Sequence, residues 1–143
     1  MNYQDIAQWL KKYGITNYTI HENLVVDVDC DVNLYNNKLT ALPFQFGKVT
    51  GNFHCSNNQL TSLQYCPTAV GGGFYCSNNK LTSLQYCPTT VGGSFYCYAN
   101  PFVVTKENEK EWFEVIKNHK NVYSTIKNPT ETLTNFYKML YEV

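Results

Sequence analysis

The sequence predicts an α+β protein dominated by a short parallel-β solenoid, with a cap at each end. Three observations predict it. A 21-residue unit recurs four times without a gap across residues 28–105. Within each unit, apolar residues alternate over a short strand and then recur at wider spacing, as in stacked-coil repeats. Outside it, residues 1–27 and 106–143 abandon the unit and show helical periodicity. At 143 residues the chain suits one domain, divided into an N-terminal cap, four repeats and a C-terminal helical cap.

The unit is plainest at the centre. Residues 49–69 read VTGNFHCSNNQLTSLQYCPTA and residues 70–90 read VGGGFYCSNNKLTSLQYCPTT, identical at 16 of 21 positions. Residues 28–48 and the stretch from Val91 keep the register in degraded form. The columns are Val28/Val49/Val70/Val91, Val32/Phe53/Phe74/Phe95, Leu34/Cys55/Cys76/Cys97, Asn37/Asn58/Asn79/Asn100, Leu39/Leu60/Leu81/Phe102 and Leu42/Leu63/Leu84.

Each column has a physical reason. Phe-Tyr-Cys alternates with period two, so Phe and Cys face the interior and Tyr faces out. The Asn column marks the inward turn, where a buried amide can satisfy backbone groups of its own and the adjoining coil. The Gly-Gly pairs before the strand are expected to adopt backbone angles closed to other residues. Cys66-Pro67 and Cys87-Pro88 mark an extended return path, because Pro disfavours helix in the residue before it. A single parallel sheet on a concave face is expected, opposite an extended convex side.

The caps follow. Ile6, Trp9, Leu10 and Tyr13 recur at helical spacing over residues 3–12, and Gly14 ends that helix. A hairpin is expected from residues 18–20 and 24–28 around His21-Glu22-Asn23. Near the other end, Asn108 and Glu111 suit a helix start ahead of Trp112, Phe113, Val115 and Ile116. A second start stands at Asn128-Pro129-Thr130-Glu131, ahead of Leu133, Phe136, Tyr137 and Leu140.

The wording CSNNxLTSLxxCPxxVGGxFYC, with Asn79, Leu81 and Leu84 following Phe74 and Cys76, resembles the leucine-rich repeats of the short bacterial type. It is similar to small proteins encoded by tailed phages and bacteria. The likeness covers residues 28–105; the segment WLKKYGITNYTI ahead of VDVDCDVNL resembles their leading cap. It departs in placing Phe and Cys where Leu is usual, and Cys30 where later repeats have Gly51, Gly72 and Gly93. The resemblance implies a non-enzymatic interaction module. Its phage-like character implies a binder and inhibitor of a host protein, such as a defence component, in the host cytoplasm.

Composition narrows the function classes. Eleven basic residues balance eleven acidic ones, which argues against an electrostatic grip on nucleic acid. No run of about 18 apolar residues is present, so no membrane span is expected. The start of the chain lacks the basic-then-apolar pattern of an export leader, which points to the cytoplasm. A monomer is the default expectation. The six cysteines, five of them in two columns at 21-residue spacing, read as reduced structural thiols replacing Leu.

Asp27, Asp29 and Asp31 alternate along one expected strand, which would put three carboxylates on one face. A solvated face is the reading preferred to a cation site, since the Gly and terminal Glu of a calcium loop are missing. His21, His54 and His119 stand in three separate segments with no nucleophile or carboxylate at motif spacing, so no catalytic residue, metal or cofactor is expected. The expected binding surface is the concave row of outward residues Asn33, Tyr35, His54, Ser56, Tyr75, Ser77, Asn78, Lys80, Tyr96 and Tyr98. It is rich in tyrosine and amide and nearly neutral, a composition suited to a protein partner. The alternative is a small ligand, a nucleotide or a sugar, held among Tyr and Asn side chains. Outward-pointing Asn78 is expected to add little to stability, and inward Asn79 much more.

Overall fold

In a computed structural model of the protein, which describes residues 1–119 and 121–123, each coil contributes two short strands rather than one. Helix α1 (Tyr3–Lys12) leads into an antiparallel hairpin of β1 (Tyr18–Ile20) and β2 (Val26–Val28). The coils then supply β3 (Val32–Asn33), β4 (Phe46–Val49), β5 (Phe53–His54), β6 (Ala69–Val70), β7 (Phe74–Tyr75), β8 (Thr90–Val91) and β9 (Ser94–Tyr96). Helix α2 (Glu109–Asn118) and β10 (Asn121–Tyr123) complete the described elements. One five-stranded sheet runs β1-β2-β4-β6-β8 and the other β10-β9-β7-β5-β3. All pairings but that of the hairpin are parallel. The molecule is thus an α+β solenoid built on two parallel sheets.

The expected single sheet is corrected by the Val column. Val49, Val70 and Val91 pair in register as a sheet of their own, one corner ahead of the Phe strands. The same corner breaks the expected Asp27–Asp31 strand, which bends at Asp29 and Cys30. The glycines at the corner also differ from expectation. Of the glycines, only Gly14, outside that corner, has a positive φ, 71°. The paired glycines are there for close approach: a Cβ on Gly71 would strike the Thr50 carbonyl oxygen, and one on Gly92 that of Gly71.

Inside, like residues stack on like. The Phe53 and Phe74 rings lie 5.9 Å apart, Phe74 and Phe95 5.1 Å apart. Phe46 precedes them at 5.2 Å and buried His119 follows Phe95 at 5.0 Å, so the column is closed by a ring from each cap side. Cys55, Cys66, Cys76 and Cys97 are buried, Cys30 and Cys87 half-buried, and all six are free thiols. Burial pushes Cys55 and Cys87 up to about 12 and Cys66, Cys76 and Cys97 up as well.

The inner asparagines form the expected ladder. Asn79 Oδ1 accepts the Leu60 N–H of the preceding coil, and its Nδ2 donates to the Cys55, Cys76 and Ser77 carbonyls at 3.1–3.2 Å. Asn58 and Asn100 repeat this. A chain that turns inward at each coil exposes buried N–H and C=O groups, and one amide with two donors and an acceptor answers them. Asn37, in the first coil, is exposed and bonds only locally to the Tyr35 carbonyl through its side chain.

The caps follow the sequence at the N-terminus. Helix α1 has a reciprocal Asn2–Asp5 capping box and ends at left-handed Gly14. Ile6 and Leu10 are buried, and Trp9 meets Phe44 edge-on at 5.1 Å. At the other end α2 buries Trp112, Val115 and Ile116. Asn108 precedes it but does not cap it; its side chain accepts from Thr105 N and donates to Val103 O, closing the loop behind. The helical cap also contains a strand, since β10 pairs with β9 as a fifth rung. The expected second helix from Asn128 lies outside the described residues.

Candidate functional site: a tyrosine-rimmed groove

The outward residues of β3, β5, β7 and β9 and of the turns after them line a groove of about 530 Å³. Its lining is Tyr35, His54, Ser56, Asn57, Tyr75, Ser77, Asn78, Tyr96 and Tyr98. All the expected binding residues but Asn33 and Lys80 are therefore brought together. Asn33 lies on the edge strand and spends its Oδ1 on the Tyr35 N–H. Lys80 lies beyond the turn, where its N–H donates to the Leu60 carbonyl. Asn57, outward in the same column as Asn78 and one coil earlier, also belongs to the lining.

Two outward columns shape the groove. The first, His54/Tyr75/Tyr96, makes one wall. His54 stands 4.9 Å from Tyr75, and Tyr75 stacks on Tyr96 at 5.0 Å with 9° between planes. The Tyr75 ring lies back over Gly73, where any Cβ would meet it. The second column reads Tyr35/Ser56/Ser77/Tyr98. The large members stand at its ends and are exposed, Tyr35 packed 5.1 Å from His54 and Tyr98 edge-on to Tyr96 at 6.3 Å. The two serines between them are buried, a correction to their expected exposure. Small residues flanked by large ones sink beneath their neighbours, and this depression is the groove floor.

The floor is not fully paired. Ser56 Oγ accepts the Ser77 N–H at 3.2 Å, but Ser77 Oγ, 3% exposed as a residue, has no hydrogen-bond partner among the described residues. The facing wall carries a second asparagine ladder. Asn78 Nδ2 donates to Asn57 Oδ1 at 3.0 Å, and Asn57 Nδ2 donates to the Tyr35 hydroxyl at 3.1 Å. These residues hold the left-handed turn, with φ of 57° at Asn36, 57° at Asn57 and 54° at Asn78; Ala99 continues the column at 54°. Asn tolerates that region through its short polar side chain. Asn78 is thus not the energetically idle residue its outward position implies.

Among the described residues the groove lining is uncharged: no Lys, Arg, Asp or Glu of theirs lines it, and burial lowers the pKa of His54, which favours its uncharged form. No group of side chains able to hold a metal forms among the described residues. The three aspartates act within the solenoid: Asp27 Oδ1 accepts Lys48 N–H, Asp29 accepts the Thr50 hydroxyl and Asp31 accepts Asn52 N–H, each reaching the next coil. The Lys48 N–H, together with His21 at 2.8 Å, holds the Asp27 carboxyl below the ordinary carboxylate range. No helix among the described residues is long and apolar enough to cross a membrane. Comparison with family models, curated proteins and solved structures finds no match for this chain.

Proposed function

We propose that this chain is a non-enzymatic binding module of leucine-rich-repeat type that docks a protein partner in the tyrosine-rimmed groove. The observation that carries the reading is the unbroken row of rings from Tyr35 through His54, Tyr75 and Tyr96 to Tyr98 on the side of the sheet facing away from the core. Tyrosine offers contact area with a polar tip and few rotors, and interface cores favour it over charge. The likeness to short leucine-rich repeats points the same way.

A small ligand is the second reading, favoured by the groove's volume, which is of the size that such ligands fill. The stacking of Tyr75 on Tyr96 counts against it, because rings that cover one another leave no face between them for a base or a sugar. A nucleotide phosphate would also meet no cation among the described lining residues.

The test is titration of a partner, captured by pull-down, against single variants. Tyr75→Ala or Tyr96→Ala weakens binding at least about tenfold, as truncation of a central tyrosine does. Gln64→Ala and Gln85→Ala, on exposed positions of the return path, leave it unchanged. Unchanged affinity in both Tyr variants, with circular dichroism showing intact fold, removes the groove as the docking site.

A further inference from the structure

The outer asparagine ladder stops one rung short. Asn57 donates to Tyr35 and Asn78 to Asn57, but the next residue in the column is Ala99, which has no amide to donate to Asn78 Oδ1. No donor among the described residues takes its place. Ala99 keeps the left-handed φ of the column, 54°, where Asn is the better-suited residue. Beside this gap the Ser77 hydroxyl sits under the groove floor with no partner among the described residues. The bond that would match Ser77 N–H to Ser56 Oγ, from Tyr98 N–H to Ser77 Oγ, is not made. An acceptor and a hydroxyl are therefore both unspent at the Tyr98 end of one groove.

We propose that this end of the groove receives an uncharged carboxamide, the side chain of an Asn or Gln on the protein partner, which completes the ladder where Ala99 supplies none. The inference rests on the groove being the docking site. The ligand NH₂ donates to Asn78 Oδ1, as Asn78 does to Asn57. The Ser77 hydroxyl, turning between staggered χ1 positions, donates to the ligand carbonyl. The uncharged lining selects against the carboxylates of Asp and Glu and the cations of Lys and Arg, which would be desolvated with no opposite charge among the described lining residues. An apolar side chain would leave Asn78 Oδ1 and Ser77 Oγ unpaired.

Amide NMR titrations of the full chain with propionamide, and with propionate and butanone as charged and donor-lacking isosteres, test the inference. Propionamide perturbs the backbone signals of Ser77, Asn78 and Ala99, and the two isosteres do so at least about fivefold more weakly, the margin a lost hydrogen bond allows. Ala99→Asn supplies the rung from within the chain. It raises the melting temperature by about 2 °C and lowers propionamide binding at least about fivefold. Ser77→Ala also lowers binding while leaving the fold intact, since it removes a hydroxyl that pairs with none of the described residues. Equal responses to propionate or butanone, undiminished binding by Ala99→Asn, or a lower melting temperature in that variant would overturn the proposal. The docking face fails separately: Tyr75→Ala then leaves partner affinity intact. If only the carboxamide is wrong, Tyr75→Ala weakens the partner and Ala99→Asn does not.

Discussion

Asn78 and Asn79 are adjacent, identical in chemistry, and held by the repeat for different reasons. Asn79 is buried and bonds four backbone groups across two coils. Asn78 is exposed, occupies the left-handed region at φ 54°, and makes a side-chain bond to the preceding ladder member, Asn57, only. One asparagine is there for what its amide reaches and the other mainly for what its backbone tolerates. A repeated residue therefore does not declare its role by repetition; the face on which it lands decides the energetics.

The largest separation between the two is expected on truncation. Asn79→Ala strands the buried Leu60 N–H and takes one of two donors from each of the Cys55, Cys76 and Ser77 carbonyls, and costs roughly 1–3 kcal/mol, measured by urea unfolding, as a single buried unsatisfied group does. A loss no larger than that of Asn78→Ala would mean that the inner ladder is rescued by water and is not the device that holds the coils together.

Alkali probes the same interior through its thiols. Cys55 and Cys87 are pushed up to about 12 from an ordinary value of 9.0. The folded state thus keeps protons that the unfolded chain releases, so the stabilising contribution is whole below pH 9 and is lost as pH rises from 9 toward 12. The melting temperature is expected to fall across that window and to be level with respect to these thiols below it. Without denaturant, Cys55, Cys66, Cys76 and Cys97 resist alkylation at pH 8, because buried neutral thiols are poor nucleophiles. Rapid native alkylation of the Cys55/Cys76/Cys97 column would show that the interior opens far more readily than its packing implies.

On the outer face, Asn78→Ala removes the left-handed preference and one exposed bond, and costs about 1 kcal/mol. Asn78→Gly, which keeps the backbone freedom, costs less than half as much. If the two are equal, the hydrogen bond to Asn57, not the backbone, is what the outer column provides.

Much of this was legible in the sequence. A strict 21-residue period fixes which residues lie over one another, so Phe53↔Phe74↔Phe95 and the inner ladder could be read directly from the columns. What escaped reading lies where the pattern is short or depends on neighbours. The second sheet rests on two-residue strands such as Ala69–Val70 and Thr90–Val91, too brief to alternate. The break of the aspartate strand at Cys30 depends on the corner that the sheet makes. Ser56 and Ser77 are polar and in outward register, but residues one coil away, Tyr35 and Tyr98, decide that they sink. The positive φ of Asn57 and Asn78 leaves a trace only in the choice of Asn, which the adjoining ladder masks.

Ala99 is the member of that outer column where the trace fails, and it gives the smallest and most discriminating effect. It sits at φ 54° with a side chain that gains nothing from the conformation. An L-residue with a Cβ pays about 1–2 kcal/mol in that region, whereas Gly pays no steric cost but loses about 0.5–1 kcal/mol more in chain entropy on folding. Ala99→Gly is therefore expected to stabilise by about 0.5 kcal/mol, read as a rise in the urea midpoint at unchanged slope. The same substitution on the inner column has the opposite sign: Asn100→Gly discards the amide that serves Asn79 N–H, Leu81 N–H and three carbonyls, and destabilises by several times as much. Two glycines one residue apart would then move stability in opposite directions, which follows only if the outer column is governed by φ and the inner one by the amide. A loss of stability in Ala99→Gly would place the cost of the turn elsewhere and dissolve the distinction between the two columns.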